Sequence, residues 1–288
     1  MRVNGADRKR LYAKGHLIMG WTIVRHSFIL LFRNLAYALK VSLGPYLIGI
    51  GVAIAALTAA GIPLNTFSGG ISPQDSMTVA QNVGGGTAFI ALLFVVLVVL
   101  FVSSWVAVSW HRFVLLEEYP GALPAIAGRP IWPYLGQVVV LAIMIALVSI
   151  PLAFVIGLIS VPFMGGLEGG QPGAGFFVVS TLLGIAFAAM LSWLWLRWGL
   201  SLPSRAVDKP MTIGESWSAS RPLSGAILAA SLILFAISIA ITFLIDLVFG
   251  PGLIGGVLNL IVNWISVMVG ISILTTLYGH LVERRALS

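Results

Sequence analysis

Three polar residues lie within apolar sequence toward the C-terminal end of the chain. Asp246 is near the end of the apolar run 225–249, while Asn259 and Asn263 are one helical turn apart in the next run, 254–279. Ionisable residues inside membrane spans commonly mark ion or solute pathways. The connecting turn, "GPGLIGG", is short enough to bring the three side chains together. The pattern predicts either a small site for a cation or polar solute, or interhelical hydrogen bonds that hold the two helices together.

The sequence contains no recognisable set of residues for catalysis or metal binding. It has four histidines and no cysteine, and no two histidines have a ligand spacing such as H-x-x-x-H. It also has no phosphate-binding P-loop and no G-x-S-x-G motif. We therefore expect no metal, no cofactor and no enzymatic activity. A lipid-modifying enzyme, which needs several polar residues converging near one interface, is kept as an alternative.

The composition predicts that the chain is embedded in a membrane. Of the 288 residues, 59% are hydrophobic and only 9% are charged, whereas soluble domains contain about 25% charged residues. Six apolar runs are long enough to cross a bilayer, which takes about 20 residues. These runs are 43–62, 87–111, 134–161, 176–199, 225–249 and 254–279. The predicted fold is an all-α integral membrane bundle of six transmembrane helices, forming one membrane domain over 43–288.

The positive charges predict the orientation of this bundle. All 16 lysines and arginines lie at the two termini or in the second and fourth connections, and the other three connections contain none. By the positive-inside rule, both termini are cytoplasmic in a multi-pass protein of the bacterial inner membrane. The net charge of +7 lies beside hydrophobic spans. It therefore indicates anionic lipid head groups on the cytoplasmic side, rather than nucleic acid, as the partner.

The N-terminal region, residues 1–42, contains a charged segment that is poorly suited to spanning. Within 18–41, Arg25, Arg33 and Lys40 recur about every two helical turns. An arginine at the centre of a span costs about 2.5–3.5 kcal/mol. We expect a basic amphipathic helix in the inner interface. A second, compatible interpretation is that its apolar face packs against the cytoplasmic end of the bundle.

The fourth connection, "RWGLSLPSRAVDKPMTIGESWSAS" over 197–220, contains a helix-start signal. Thr212 and Glu215 have the spacing of a capping box, in which each side chain covers a backbone N–H group of the helix start. We predict a short interfacial helix over about 213–221. The segment's expected contacts with lipid or a partner protein are made by Arg205, Lys209, Trp217 and Arg221.

The same stretch resembles a motif of bacterial multi-span inner-membrane proteins. In that motif an arginine precedes "LALP", and a short "SxxESW" helix with a terminal basic residue follows; here these positions are Arg197, 200–203, Glu215, Trp217 and Arg221. The proteins are similar to YciC-like proteins and to the membrane domain of some glycerophosphodiester phosphodiesterases. The soluble catalytic barrel is absent from these 288 residues, so the resemblance implies a helical membrane protein and not the phosphodiesterase activity.

These observations predict a non-enzymatic membrane protein. Charged and aromatic residues are concentrated at the predicted membrane interfaces, whereas few ionisable residues lie inside the predicted spans. This distribution favours a scaffold, assembly or accessory factor that contacts lipids and another membrane protein or a second copy of itself. The alternative is a small-solute or ion transporter or channel, which would use Asp246, Asn259 and Asn263.

Overall fold

The computed structural model describes residues 5–62, 84–121, 123–163, 173–250 and 252–287, and all regular structure in these residues is helical. The predicted connections after the first and third spans lie largely outside these ranges. The helices are α1 (Gly5–Arg33), α2 (Leu35–Ala59), α3 (Gly85–Leu116), α4 (Ile131–Ser160), α5 (Ala174–Trp198), α6 (Ser201–Ala206), α7 (Ile213–Ser220), α8 (Ser224–Phe249) and α9 (Leu253–Leu281).

Seven helical stretches are long and apolar enough to cross a membrane. They are Gly15–Arg33, Leu35–Ala59, Gly85–Leu116, Ile131–Ser160, Gly175–Ala206, Ile213–Phe249 and Leu253–Leu281. This confirms the predicted class, a multi-span helical membrane protein. The count differs from the predicted six, because the N-terminal stretch that we expected in the interface also meets the requirements of length and composition.

The N-terminal helix also differs from the single helix expected over 18–41. Asn34, with φ −114° and ψ 27°, interrupts the helical geometry and separates α1 from α2. Lys40 therefore lies in the second turn of α2, and α2 begins at Leu35 rather than near the predicted residue 43. The local pattern of charges did not reveal this break, because asparagine is tolerated within a helix at only a modest cost.

The chain divides into two compact units. The larger unit contains residues 1–33 and 136–288, and the smaller unit contains residues 34–135. In the smaller unit, α2 runs antiparallel to α3. Gly49 lies against Val102, so close that a Cβ atom at Gly49 would be 2.8 Å from that side chain. Toward the end of α2, Leu57 clusters with Ala88 at the start of α3.

In the larger unit, α1 packs one face on α8 and α9. Gly20, Ile23, Val24, Ser27 and Leu31 are buried, and their spacing of three and four residues forms one stripe of the helix. A glycine is needed in this stripe. A Cβ atom at Gly20 would lie 2.8 Å from the Ala226 carbonyl oxygen and 2.8 Å from Ala229 Cβ.

A hydrogen bond fixes the other side of this contact. Ser27 Oγ donates to Thr276 Oγ1 of α9 over 3.2 Å, with both residues buried. The apolar face of α1 therefore packs on two helices of the bundle, while the expected position of this contact at the cytoplasmic end stays a prediction. The face lies against α8 from Gly225 to Ala230 and against α9 at Thr276, and Phe28 lies farther along α8, beside Leu234.

Candidate functional site

The fourth connection folds into two short helices between the long helices α5 and α8. The predicted capping box is confirmed: the Glu215 N–H donates to Thr212 Oγ1 at 3.2 Å, and the Thr212 N–H donates to Glu215 Oε2 at 2.6 Å. The helix that it starts, α7, covers Ile213–Ser220, close to the predicted range. Pro203 lies in the first turn of α6, where its missing N–H group leaves no helical hydrogen bond unmade.

Arg197, at the end of α5, is the central side chain of this region. Its side chain is only 4% exposed. Its Nε donates to Ser220 Oγ at 3.0 Å and its Nη2 donates to the Trp217 carbonyl at 2.8 Å. Because the Trp217 carbonyl belongs to the C-terminal half of α7, the cation also complements the negative end of that helix. Arg197 therefore ties the end of α5 to the end of α7.

Two indole rings surround the same guanidinium group. Arg197 Cζ lies 3.3 Å from the centre of the Trp217 ring and 5.0 Å from that of Trp193. The indole N–H of Trp193 donates to the Ser224 carbonyl at 3.0 Å, which joins α5 to the start of α8. Such cation–π contacts stabilise a charge that has been removed from water.

Buried hydroxyl groups complete the connection between the helices. Ser216 Oγ donates to the Arg197 carbonyl at 2.6 Å, and Met211 N donates to Ser204 Oγ at 3.1 Å. Gln137 of α4 donates from Nε2 to Ser201 Oγ at 3.0 Å. We call this group the inner elbow, after the cytoplasmic side on which the sequence predicts it; it comprises Gln137, Trp193, Arg197, Ser201, Ser204, Arg205, Ser216, Trp217 and Ser220.

The chemistry of the inner elbow suits binding and positioning rather than proton transfer. It supplies cations, hydroxyls, an amide and indole rings, and its serine hydroxyls donate to backbone carbonyls. The ion pairs in the described ranges involve the carboxylates of Glu118 and Glu283, and neither of these pairs with Arg197. The arrangement therefore has a positive charge and no acid–base pair.

The predicted contact residues fall into two groups. Arg25, Arg33, Lys40, Lys209 and Arg221 are exposed. Arg205 is half-buried, and its Nε donates to Gln137 Oε1 at 2.9 Å, so it belongs to the inner elbow. Trp217 is 36% exposed although one ring face covers Arg197. The exposed group is available to lipid or a partner, whereas Arg205 and Trp217 also hold the fold.

The polar residues of α8 and α9 come together only in part. Asn259 Nδ2 donates to Asp246 Oδ1 at 3.3 Å, whereas Asn263 is exposed. The turn between the helices allows this approach. Gly250 adopts φ +61°, and a Cβ atom at Gly255 would lie 2.2 Å from the Gly250 carbonyl oxygen. Within the ranges that the structure describes, no three histidine, aspartate or glutamate side chains form a possible metal site.

A second charged cluster, in the smaller unit, was not predicted. Glu118 accepts hydrogen bonds from Arg112, at 3.0 and 2.8 Å, and from Arg129. The hydrogen bond from Arg112 is the main reason why the pKa of Glu118 lies below its usual value, and the charge of Arg129 adds to the effect. The three residues close the connection between α3 and α4.

Sequence reasoning also missed the burial of Arg197, which it treated as one of the cations of the connection. One signal was present: Trp193 precedes it by four residues, a spacing that places both side chains on one helical face.

Comparison with known proteins finds no matching protein family, no similar curated protein and no similar solved structure.

Proposed function

We propose that the protein is a non-enzymatic scaffold, assembly or accessory factor of the bacterial inner membrane that contacts lipids and another membrane protein. The observation that carries this proposal is the division of α1 into two faces. One face is buried on α8 and α9, and the other exposes Trp21, Arg25, Phe32 and Arg33. An outward surface of cations and large apolar side chains suits the boundary between head groups and acyl chains.

The proposed topology has six crossing helices and two cytoplasmic termini, with α1 in the inner interface. Arg25 is exposed near the middle of the apolar stretch of α1. In a crossing helix it would face the hydrocarbon, at a cost of about 2.5–3.5 kcal/mol.

Cysteine labelling tests this topology, and the absence of native cysteine makes each introduced thiol unique. In intact spheroplasts, a membrane-impermeant maleimide should label Leu253→Cys, which is 86% exposed. Lys209→Cys and Gly15→Cys, both at exposed positions, should be labelled only after permeabilisation. Labelling of Gly15→Cys from outside would show that α1 crosses the membrane and would reject the six-span topology.

Photo-crosslinking tests the contact function. A benzophenone amino acid is placed at Trp21 or Phe32, which are 51% and 50% exposed, and at the fully buried positions Ile23 and Leu31 as matched controls. A scaffold should give a crosslink to one defined membrane protein, or to a second copy of the chain, from the exposed positions alone. If all four positions crosslink only to lipid or within the chain, the partner function is rejected.

The second candidate function is a transporter or channel for a small solute or ion. The hydrogen bond between Asp246 and Asn259 favours it, because the carboxylate is exposed on an otherwise apolar hairpin. Reconstituted liposomes should then take up the solute, and Asp246→Asn should abolish uptake while leaving the protein folded. Uptake that is equal in wild type and Asp246→Asn would reject this use of the cluster.

A further inference from the structure

Arg197 has hydrogen-bonding capacity that the protein leaves unused. A guanidinium group carries five N–H donors. Two of them donate to Ser220 Oγ and the Trp217 carbonyl. The other three have no hydrogen-bond acceptor among the residues that the structure describes. The free donors belong to the Nη atoms, which form the end of the fork that recognises phosphate.

The positive charge of Arg197 is also unbalanced. The residue is only 4% exposed, and none of the ion pairs in the described ranges includes it. A buried charge without a counterion is destabilising. The contacts with the rings of Trp217 and Trp193 offset part of this cost, but they leave the net charge at +1.

A second cation lies beside the first. Arg221 directly follows Ser220, the acceptor of the Arg197 Nε hydrogen bond, and its own side chain is exposed. The charge of Arg221 is close enough to repel that of Arg197. An anion held by the buried and the exposed arginine together would reduce this repulsion by neutralising both charges.

We propose that Arg197 and Arg221 bind the phosphate of an anionic phospholipid head group. Guanidinium groups match the paired oxygens of a phosphodiester. The site lies where α5 ends and α8 begins, next to tryptophans of the kind that mark the head-group layer. An adjacent lipid can place its phosphate at the two arginines and its acyl chains along the apolar helices.

This inference deepens the proposed function, because it assumes that the inner elbow lies at the head-group layer. It differs from the lipid contact of α1 in kind. The exposed cations of α1 attract any anionic surface, whereas the inner elbow would hold one lipid molecule at a defined position. Inorganic phosphate offers similar oxygens without the acyl chains, so a direct comparison separates a lipid site from a site for a soluble anion.

Native mass spectrometry of the delipidated full chain in detergent tests the proposal. Phosphatidylglycerol, phosphatidylcholine and inorganic phosphate are titrated separately. The wild type should bind one phosphatidylglycerol about ten-fold more tightly than phosphatidylcholine, and inorganic phosphate should not displace it. Arg197→Gln and Arg221→Gln should each weaken binding by about ten-fold, the effect of losing a charge-assisted hydrogen bond. Arg284→Gln, which removes an exposed cation at the C-terminal end, should leave it unchanged.

The opposite results overturn the proposal. Wild-type affinity in Arg221→Gln, or equal weakening in Arg284→Gln, would show that binding depends only on overall charge. Displacement of the lipid by equimolar inorganic phosphate would assign the site to a soluble anion. If Arg197→Gln lowers the melting temperature sharply, the lipid affinity of Arg221→Gln alone tests the proposal, because the Arg221 side chain is exposed and its replacement should not disturb the fold. Loss of the bound lipid in an Arg25→Gln, Arg33→Gln double variant would place the lipid at α1 instead.

Discussion

Replacing Gly20 by alanine tests the docking of α1 most directly. The added carbon would lie 2.8 Å from the Ala226 carbonyl oxygen, 2.8 Å from Ala229 Cβ and 3.0 Å from the Ala230 nitrogen. These atoms belong to the backbone or lie next to it, so they cannot move aside by a change of rotamer. The helix α1 must therefore shift away from α8.

The size of the effect follows from two opposing contributions. Alanine stabilises a helix by about 1 kcal/mol relative to glycine, while overpacking of a tight contact costs about 1–3 kcal/mol. Gly20→Ala should therefore be destabilising by up to about 2 kcal/mol. Gly15→Ala is the matched control in the same helix, because nothing lies within 4 Å of its added carbon. It should be neutral or stabilising.

Thermal unfolding in detergent measures both variants. At about 2–4 °C per kcal/mol, Gly20→Ala should lower the melting temperature by several degrees, while Gly15→Ala should leave it unchanged or raise it. A thiol at position 23, which is fully buried in the wild type, should react faster with maleimide when Gly20→Ala is also present. If Gly20→Ala were as stable as Gly15→Ala, the described packing of α1 on α8 would be refuted.

Three further predictions concern the connections. Gly255→Ala should destabilise the α8–α9 turn more than Gly20→Ala destabilises the helix contact, because its Cβ would lie 2.2 Å from the Gly250 carbonyl oxygen; thermal unfolding measures this, and an unchanged melting temperature would contradict it. Thr212→Ala should cost about 1 kcal/mol through loss of the cap, whereas Thr212→Ser should retain the cap and the wild-type melting temperature. For Glu118, the folded pKa is lowered, chiefly by Arg112. Its contribution is therefore complete above the unfolded pKa of about 4.3 and is lost as pH falls through the folded pKa. Glu118→Gln should remove that part of the acid sensitivity, and melting temperatures that fall equally with acid in both proteins would contradict the assignment.

The features that the sequence predicted are those determined by composition or by neighbouring residues. The hydrophobic content alone requires lipid as the solvent, so the multi-span helical class follows from it. The capping box joins Thr212 to Glu215, three residues apart, so its geometry depends little on the rest of the fold. For the same reason α7 begins where it was expected to begin.

The features that the sequence did not predict depend on contacts between distant segments. Arg197 becomes buried only because Trp217, 20 residues later, folds back over it. The stripe of α1 around Gly20 is amphipathic in sequence, but its partner α8 is about 200 residues away and no local signal identifies it. Likewise, the pairing of Glu118 with Arg129 requires the intervening connection to close.

The distribution of hydrogen bonds bears on the choice between a scaffold and a transporter. Alternating access requires the inner and outer ends of a bundle to open in turn. At the inner elbow, opening would separate Arg197 from Ser220, Ser216 from the Arg197 carbonyl, and Trp193 from the Ser224 carbonyl. Hydrogen bonds of this kind contribute about 0.5–1.5 kcal/mol each, and more when one partner is charged, so an open inner end would lie several kcal/mol above the closed one.

At the opposite end of α8, by contrast, the described hydrogen bond between side chains is the one between Asn259 and the exposed Asp246. A state several kcal/mol above the ground state is populated to well under 1%. A solute bound near Asp246 would therefore exchange only with the side of the membrane at that end of α8 unless its binding also loosened the inner elbow, and no contact joins the two among the described residues. An inner elbow held by several hydrogen bonds, with exposed cations around it, favours a docking surface over a gate, and this asymmetry is the reason to propose the scaffold before the transporter.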